Sequence, residues 1–336
     1  RQRDVVDPRE VLVTPFSSGR VSRRNLSVLA AGLARPLPAS VRESASGRRP
    51  DRGDLDRALA RVAASGHPPE SASALADLWP DLDPPARSQI ATPLRPGPDG
   101  FVSFGSRRAT QAKTASCGPA VLVVLLAAGD PVVATWLVTG RRLGSLPREI
   151  AAVAGTAAAS EVEGAPGARF VAAQEAMLRA ANRHAFGGLP WPSPLGTPPW
   201  TAARHARFPG VRYSARAVND ANVSEMERLL AWVRASLARG VPVPLYAGGD
   251  LVRGVSTAVP RHVVLAVPPP LGAPPVTISL YEPGSAQVHD LVSTELVTRA
   301  EPHPALGGWT HVCWAVLPRA VRTPAGAGAS GLRLPS

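Results

Sequence analysis

An α+β fold is predicted by the order of patterns along the chain. Helical periodicities prevail up to Arg239, and short apolar, strand-like runs follow one another from Val241 to Leu317. A third observation, the apolar run at residues 120–128 directly after Pro119, predicts a buried helix with an antiparallel sheet packed against it. The chain's 336 residues suffice for one large domain or two ordinary ones, and 45% apolar residues can fill a core, so a small disulfide-stapled scaffold is excluded.

The first 53 residues are rich in Arg, Ser and Pro without a sustained period, and are expected to form an irregular, disordered arm. Within it, Ser22-Arg23-Arg24 before the apolar residues 26–34 has a faint twin-arginine export character, interrupted by Arg35. The default expectation is a cytoplasmic protein. Residues 54–65 carry Leu55, Ala58, Leu59 and Val62 at helical spacing and stop at Gly66, which predicts a helix. With the proline-rich linkers that follow, residues 54–100 read as a small helical preface. The main domain is expected over residues 101–320, ahead of a flexible tail at 321–336.

In that domain a short strand-like piece at Phe101 precedes the helix after Pro119, and helical signals return at residues 168–183. Residues 191–199, with Trp191 and Trp200, read as an ordered surface loop that could border a cleft or simply pack. The clearest helix is 224–239. Ser224 and Glu227 match a capping box, Met226, Leu229, Leu230, Val233 and Leu237 form one face, and Gly240 is the stop. Four strands are predicted after it: 241–246, which Pro242 and Pro244 push toward an edge or bulged position, then 262–267, 276–281 and 311–317.

The net charge of +12 raises the question of nucleic acid. Half of it sits in the first 50 residues, where ten arginines face four acids, and no later segment is a basic stripe. Of 37 basic residues only Lys113 is a lysine, which marks a compositional habit, and 5% aromatics leave few stacking platforms for single strands. Nucleic acid is therefore not the expected partner. Lys113-Thr114 lacks the glycines of a phosphate-binding Walker loop, and neither H-E-x-x-H nor G-x-S-x-G occurs. The two cysteines, Cys117 and Cys313, offer no CxxC or Cys/His cluster, so no metal or other cofactor is implied. No apolar run approaches the roughly 18 to 20 residues of a membrane span, so no membrane partner is expected.

Chemistry concentrates at Cys117. Pro119 fits only the first turn of a helix, which places Cys117 at the helix start. Unpaired N–H groups and the helix dipole there favour a thiolate, lowering a cysteine from about 8.5 toward neutrality. A lone cysteine is otherwise most often a small buried core residue. Gln111, six residues earlier, can bring a side-chain amide to the helix start as a second oxyanion donor. His262 opens a strand at the rim of the sheet, where it can act as a general base or be a satisfied edge residue. Glu282 ends a neighbouring strand and can hold the imidazole by its other nitrogen, a role Asp290 could take instead.

The order and spacing of these residues resemble the papain-like cysteine peptidases, and among them the bacteriocin-processing (double-glycine leader) peptidases and their stand-alone relatives. That family shows Gln, five residues, then Cys-Gly-Pro-Ala opening a helix, followed by Gly-x-Pro-Val, a histidine starting an apolar strand, and Asp-Pro before Gly. Gln111, Cys117-Gly118-Pro119-Ala120, Gly240-Val241-Pro242-Val243, His262-Val263-Val264 and Glu282-Pro283-Gly284 fall in this order, over residues 101–317. Glu282 departs from the family's Asp, and the stretch between Cys117 and His262 is long. The resemblance implies a papain-like fold whose nucleophile helix packs on an antiparallel sheet. It also implies a bacterial cysteine peptidase or related amide hydrolase or acyl transferase, acting on a peptide or protein through Cys117, His262, Glu282 and Gln111. No transporter segments accompany the domain, so leader processing during export is not implied. The rival expectation is a non-enzymatic binding protein whose basic arm contacts nucleic acid or an acidic partner.

Overall fold

The structure, a computed structural model, describes residues 53–154, 166–248, 260–297, 299 and 301–320. The expected arm before Gly53, including its twin-arginine segment, and the expected tail lie outside the described residues. Ten α-helices and a six-stranded antiparallel sheet make up the described α+β architecture, with a two-stranded hairpin, β1 (Ser103–Phe104) and β2 (Arg107–Arg108), beside them.

Three helices come first: α1 (Asp54–Ala64), α2 (Pro69–Leu78) and α3 (Pro84–Ala91). The sequence predicts α1 and a linker after it; the linker instead holds α2 and α3. Pro69, Pro84 and Pro85 occupy the first helical positions, where a missing N–H costs nothing, so prolines that read as breakers act as starts. Ala58, Val62, Leu75 and Ile90 are fully buried in the same core cluster as the helix of Cys117. Arg61 donates to the carbonyls of Ala128, Ile90 and Ala91, tying α1 to the C-terminal ends of two other helices.

The centre is α4 (Cys117–Gly129), every residue of which is buried. An apolar helix of this kind needs neighbours on all sides, and α5 (Pro131–Thr139), α7 (Pro166–Asn182) and the sheet supply them. Asp130 ends α4 and caps α5 by accepting from the N–H groups of Val132 and Val133. The two helices bend by 115° at this residue, and no single helix among those described is long and apolar enough to cross a membrane. Two shorter helices complete this layer, α6 (Arg148–Ala154) and α8 (Pro199–His205). Glu149 on α6 joins His205 and Arg207 at the end of α8.

Strands β3 (Val211–Ala217), β4 (Val243–Gly248), β5 (His262–Val267), β6 (Thr277–Glu282), β7 (Gln287–Val292) and β8 (His311–Ala320) lie in the order β3-β8-β4-β5-β6-β7, all pairs antiparallel. On β5, Val263, Leu265 and Val267 face the α4 core while Val264 and Ala266 face a second core under α9 (Val223–Leu237). The five predicted apolar residues of α9 are all buried, and Gly240 (φ +76) terminates the segment. Its cap is not the Ser224–Glu227 box: the helix begins one residue earlier, and Asn222 accepts from the Glu225 N–H. A last helix, α10 (Ser293–Val297), follows β7.

Strand β4 is internal, contrary to the edge position its prolines predict. Its pairing with β8 starts only at Leu245, beyond Pro244, so the missing N–H interrupts no ladder there. The expected irregularity is present, because the register shifts between Tyr246 and Ala247 and leaves Cys313 as the extra residue of β8.

Because α1–α3 fill part of the α4 core, a chain beginning at Gly53 is expected to unfold in one cooperative transition. A chain beginning at Phe101 is expected to lose it. Urea unfolding followed by circular dichroism distinguishes the two.

Candidate active site

Cys117 lies at the first position of α4, preceded by a single 3₁₀ turn, Thr114–Ser116. Ser116 closes that turn by accepting from the Lys113 N–H and donating to the Lys113 carbonyl, both at 2.8 Å. The Cys117 N–H is one of the helix-start donors without an intrahelical acceptor. Gly118 is needed behind it: a Cβ there would stand 3.0 Å from the Thr197 Cβ. Cys117 is 4% exposed yet opens onto a cleft of about 550 Å³ that Gln111, His262 and Glu282 also line.

His262 starts β5 and Glu282 ends β6, so neighbouring strands bring both side chains to the same end of the sheet. The His262 Nε2–H donates to Glu282 Oε1 at 2.8 Å. The imidazole also shares a hydrogen bond with the Cys117 side chain, which leaves Nδ1 as the nitrogen toward the sulfur. Burial alone would lower the imidazole pKa, but the hydrogen bonds and charges of Cys117 and Glu282 outweigh it and raise His262 to about 9.

Glu282 is held in turn by its own loop. Oε1 accepts from the Gly284 N–H at 2.7 Å, and Oε2 accepts from the Ser285 N–H and hydroxyl at 2.7 and 2.8 Å. Burial opposes ionisation, yet these bonds and His262 keep the carboxyl at about 2. The extra methylene relative to Asp is taken up by this curled conformation, since Gly284 lies so close that a Cβ would come within 2.9 Å of Oε1. Asp290, the alternative third residue, lies elsewhere: it sits on the outer strand β7 and accepts from the Ser279 hydroxyl.

Gln111 is stitched to the Glu282 turn. Its N–H donates to the Pro283 carbonyl at 2.7 Å, the Val102 N–H donates to Ala286, and the Tyr281 hydroxyl donates to the Ala109 carbonyl. The Gln111 Nε2 donates to the Lys113 and Thr114 carbonyls at 3.2 and 3.5 Å, which holds the amide beside the start of α4. Gln174, fully buried on α7, grips both flanks: it accepts from the Ala112 N–H at 2.9 Å and donates to the Thr110 carbonyl at 3.1 Å. Sequence reasoning missed Gln174. Its signal was a polar residue on the face shared by Phe170, Ala173 and Met177.

The loop holding Trp191 reaches the cleft, but through Pro194, Leu195 and Gly196. The two tryptophans brace it instead, edge-to-face at 5.6 Å, with the Trp200 Nε1–H donating to the Ala185 carbonyl. Cys313 is fully buried, and its thiol donates to the His311 carbonyl at 3.6 Å. On the same strand the His311 Nδ1–H donates to the buried Asp220 at 2.6 Å, a second imidazole–carboxylate pair that the cleft does not include. No group of three or more metal-ligating side chains occurs among the described residues.

No protein-family model matches the chain, and no curated protein and no solved structure matches it either. The arrangement of the site therefore stands on its own geometry.

The pKa directions set a stability window. His262, raised from 6.5 to about 9, contributes fully below 6.5 and is lost as pH rises through 9; Glu282, lowered from 4.5 to about 2, contributes fully above 4.5 and is lost as pH falls through 2. Replacing Glu282 with Gln removes one of the two supports. The His262 midpoint is expected to fall from about 9 toward 6.5 in an NMR titration of the imidazole carbons. An unmoved midpoint would show that Glu282 does not govern this imidazole.

Proposed function

We propose that this protein is a thiol-dependent amide hydrolase or acyl transferase of papain-like design, acting on a peptide or protein. One observation carries the reading: Cys117, at a helix start, shares a cleft with an imidazole that is itself fixed by a carboxylate, and Gln111 lies on the rim of the same cleft. A buried histidine with a role only in packing has no need of both a sulfur and an oriented carboxylate on its two nitrogens.

In the proposed cycle Cys117 attacks as thiolate while His262 is imidazolium. The sulfur forms a bond to the carbonyl carbon, and the oxyanion accepts from the Cys117 N–H and from the Gln111 Nε2–H, whose amide turns from the Lys113 and Thr114 carbonyls to reach it. As the tetrahedral intermediate collapses, the carbon–nitrogen bond breaks and the His262 Nδ1 proton passes to the leaving amine. This leaves a thioester and a neutral imidazole. Water gives a proton back to His262 as its oxygen attacks the thioester, releasing the acid and restoring the ion pair. An amine in place of water gives transfer, and a side-chain amide in place of a peptide bond gives deamidation. Glu282 stays ionised throughout and orients the imidazole.

Cys117 faces the cleft and Cys313 is enclosed in β8, so iodoacetamide at neutral pH is expected to label Cys117 much faster. Peptide mapping over time reads the ratio, and equal rates in the folded protein would count against an activated Cys117. Turnover of a fluorogenic peptide library is expected to vanish in Cys117→Ala and to decline as pH rises through about 9, where His262 loses the proton that the leaving group needs. A chain starting at Gly53, without the arginine-rich arm, is expected to keep this turnover. If that chain folds but shows no thiol reactivity, and also loses a salt-sensitive nucleic-acid affinity that the full chain has, a basic binding protein replaces the enzyme.

A further inference from the structure

We propose that the turn from His303 to Trp309 is a splint that sets the His262 imidazole against Cys117, with Gly307 as its positioning residue and His303 as its latch. The proposal rests on the thiol-chemistry reading above and adds what holds the base in place. Gly307 has φ +63, and a Cβ built on it would stand 2.4 Å from Cδ2 and 2.5 Å from Nε2 of His262. The bare glycine backbone therefore lies in contact with the edge of the ring that bonds Glu282. No other residue type fits both that conformation and that gap.

A single hydrogen bond to Glu282 acts as a hinge about which an imidazole can still rock. A backbone wall against the ring removes that freedom, provided the wall is itself fixed. Ala305 and Leu306 are fully buried in the core under α9 and anchor the turn from below. The His303 N–H donates to the Trp309 carbonyl at 3.1 Å, while the N–H groups of Leu306 and Gly308 both donate to the His303 carbonyl at 3.0 Å. Pro304, Gly307, Gly308 and Trp309 line the cleft, so the splint is also one of its walls.

The latch is chemical. His303 Nδ1 accepts from the Ala305 N–H at 3.0 Å and caps the 3₁₀ turn Pro304–Leu306. Only an unprotonated Nδ1 can accept; the imidazolium has donors at both nitrogens and loses the cap. Partial burial, then Arg299 and His289, hold His303 below its ordinary 6.5, against the opposing pull of Glu295. Among the described residues, Arg261, His262 and Glu282 line the cleft beside the turn, and Glu301 stands two residues before His303. The latch is thus closed at neutral pH and opens in acid.

The experiment uses the full chain with labelled histidine, following the His262 titration by NMR without substrate and kcat and KM separately on a peptide substrate. Gly307→Ala is expected to lower the His262 midpoint from about 9 toward 6.5. It is also expected to reduce kcat about 100-fold with little change in KM, as a misplaced base does. A native midpoint and native kcat would overturn the splint. If Gly307→Ala does not fold, His303→Asn and His303→Ala decide. Asn keeps an acceptor and should hold the native His262 midpoint and the native kcat, with kcat persisting to lower pH; Ala should lower the midpoint toward 6.5 and reduce kcat. A native midpoint and kcat in His303→Ala would overturn the latch and the splint together. A lowered midpoint in Gly307→Ala of a chain that turns over no peptide would uphold the splint and reject the enzyme. An active Gly307→Ala enzyme with an unmoved midpoint would reject the splint alone.

Discussion

The constraint on which the rest depends is that α4 is apolar all round and must be enclosed on every side. Its thirteen residues offer no polar face, so α5, α7, the preface helices and one face of the sheet all have to reach it. Enclosure fixes the axis of α4 in the centre of the molecule. Pro119 then fixes which end starts, because its missing N–H is tolerated only within the first turn. The sulfur of Cys117 stands at that end and faces the end of the sheet where β5 begins and β6 stops.

Around this fixed point the polar groups are tied by backbone as much as by side chains. The Glu282–Pro283–Gly284–Ser285 turn binds its own carboxylate with three hydrogen bonds and receives the Gln111 N–H as a fourth link to the opposite wall. Ala286, at φ +63 and fully buried, completes that turn in a conformation that costs a side-chain-bearing residue about 1 kcal/mol or more, a strain the surrounding bonds must hold. The carboxylate and the Gln111 backbone are thus tied to one loop. Gln174 does the same for Gln111 from the helical side.

Much of this was legible in residues whose physical demands are local. Pro119 announced the position of Cys117, the unbroken apolar residues from Val263 to Val267 announced β5, and the spacing of Met226, Leu229, Leu230, Val233 and Leu237 announced α9. What escaped depends on neighbours. Strands β3 and β7 are the two edges of the sheet, half exposed and studded with Arg, Ser, His and Asp, so they lack the alternation a covered strand shows. Gly129-Asp130-Pro131 reads as a loop, yet Asp130 and Pro131 are the cap and first residue of α5. The placement of Pro244 in an internal strand depends on where β8 stops pairing, which no local pattern records. Glu282 and Gln111 were legible as candidates, but Gly307 and Gln174 act through contacts far along the chain and carry no motif.

The strand order has a consequence for how the molecule comes into being. Strand β8, the last described along the chain, lies between β3 and β4, which precede it. Until it inserts, β3 has no partner and β4 is paired on one side only. A growing polypeptide that already contains Cys117, His262 and Glu282 therefore has its sheet split in two, and the turn holding Gly307 is not yet anchored by the strand that follows it. Closing that gap is a long-range step, slow relative to helix formation and made only after β8 has been synthesised. Assembly of the cleft around the thiol is thereby deferred until β8 is in place, and a shorter nascent chain carries Cys117 without the strands that enclose it.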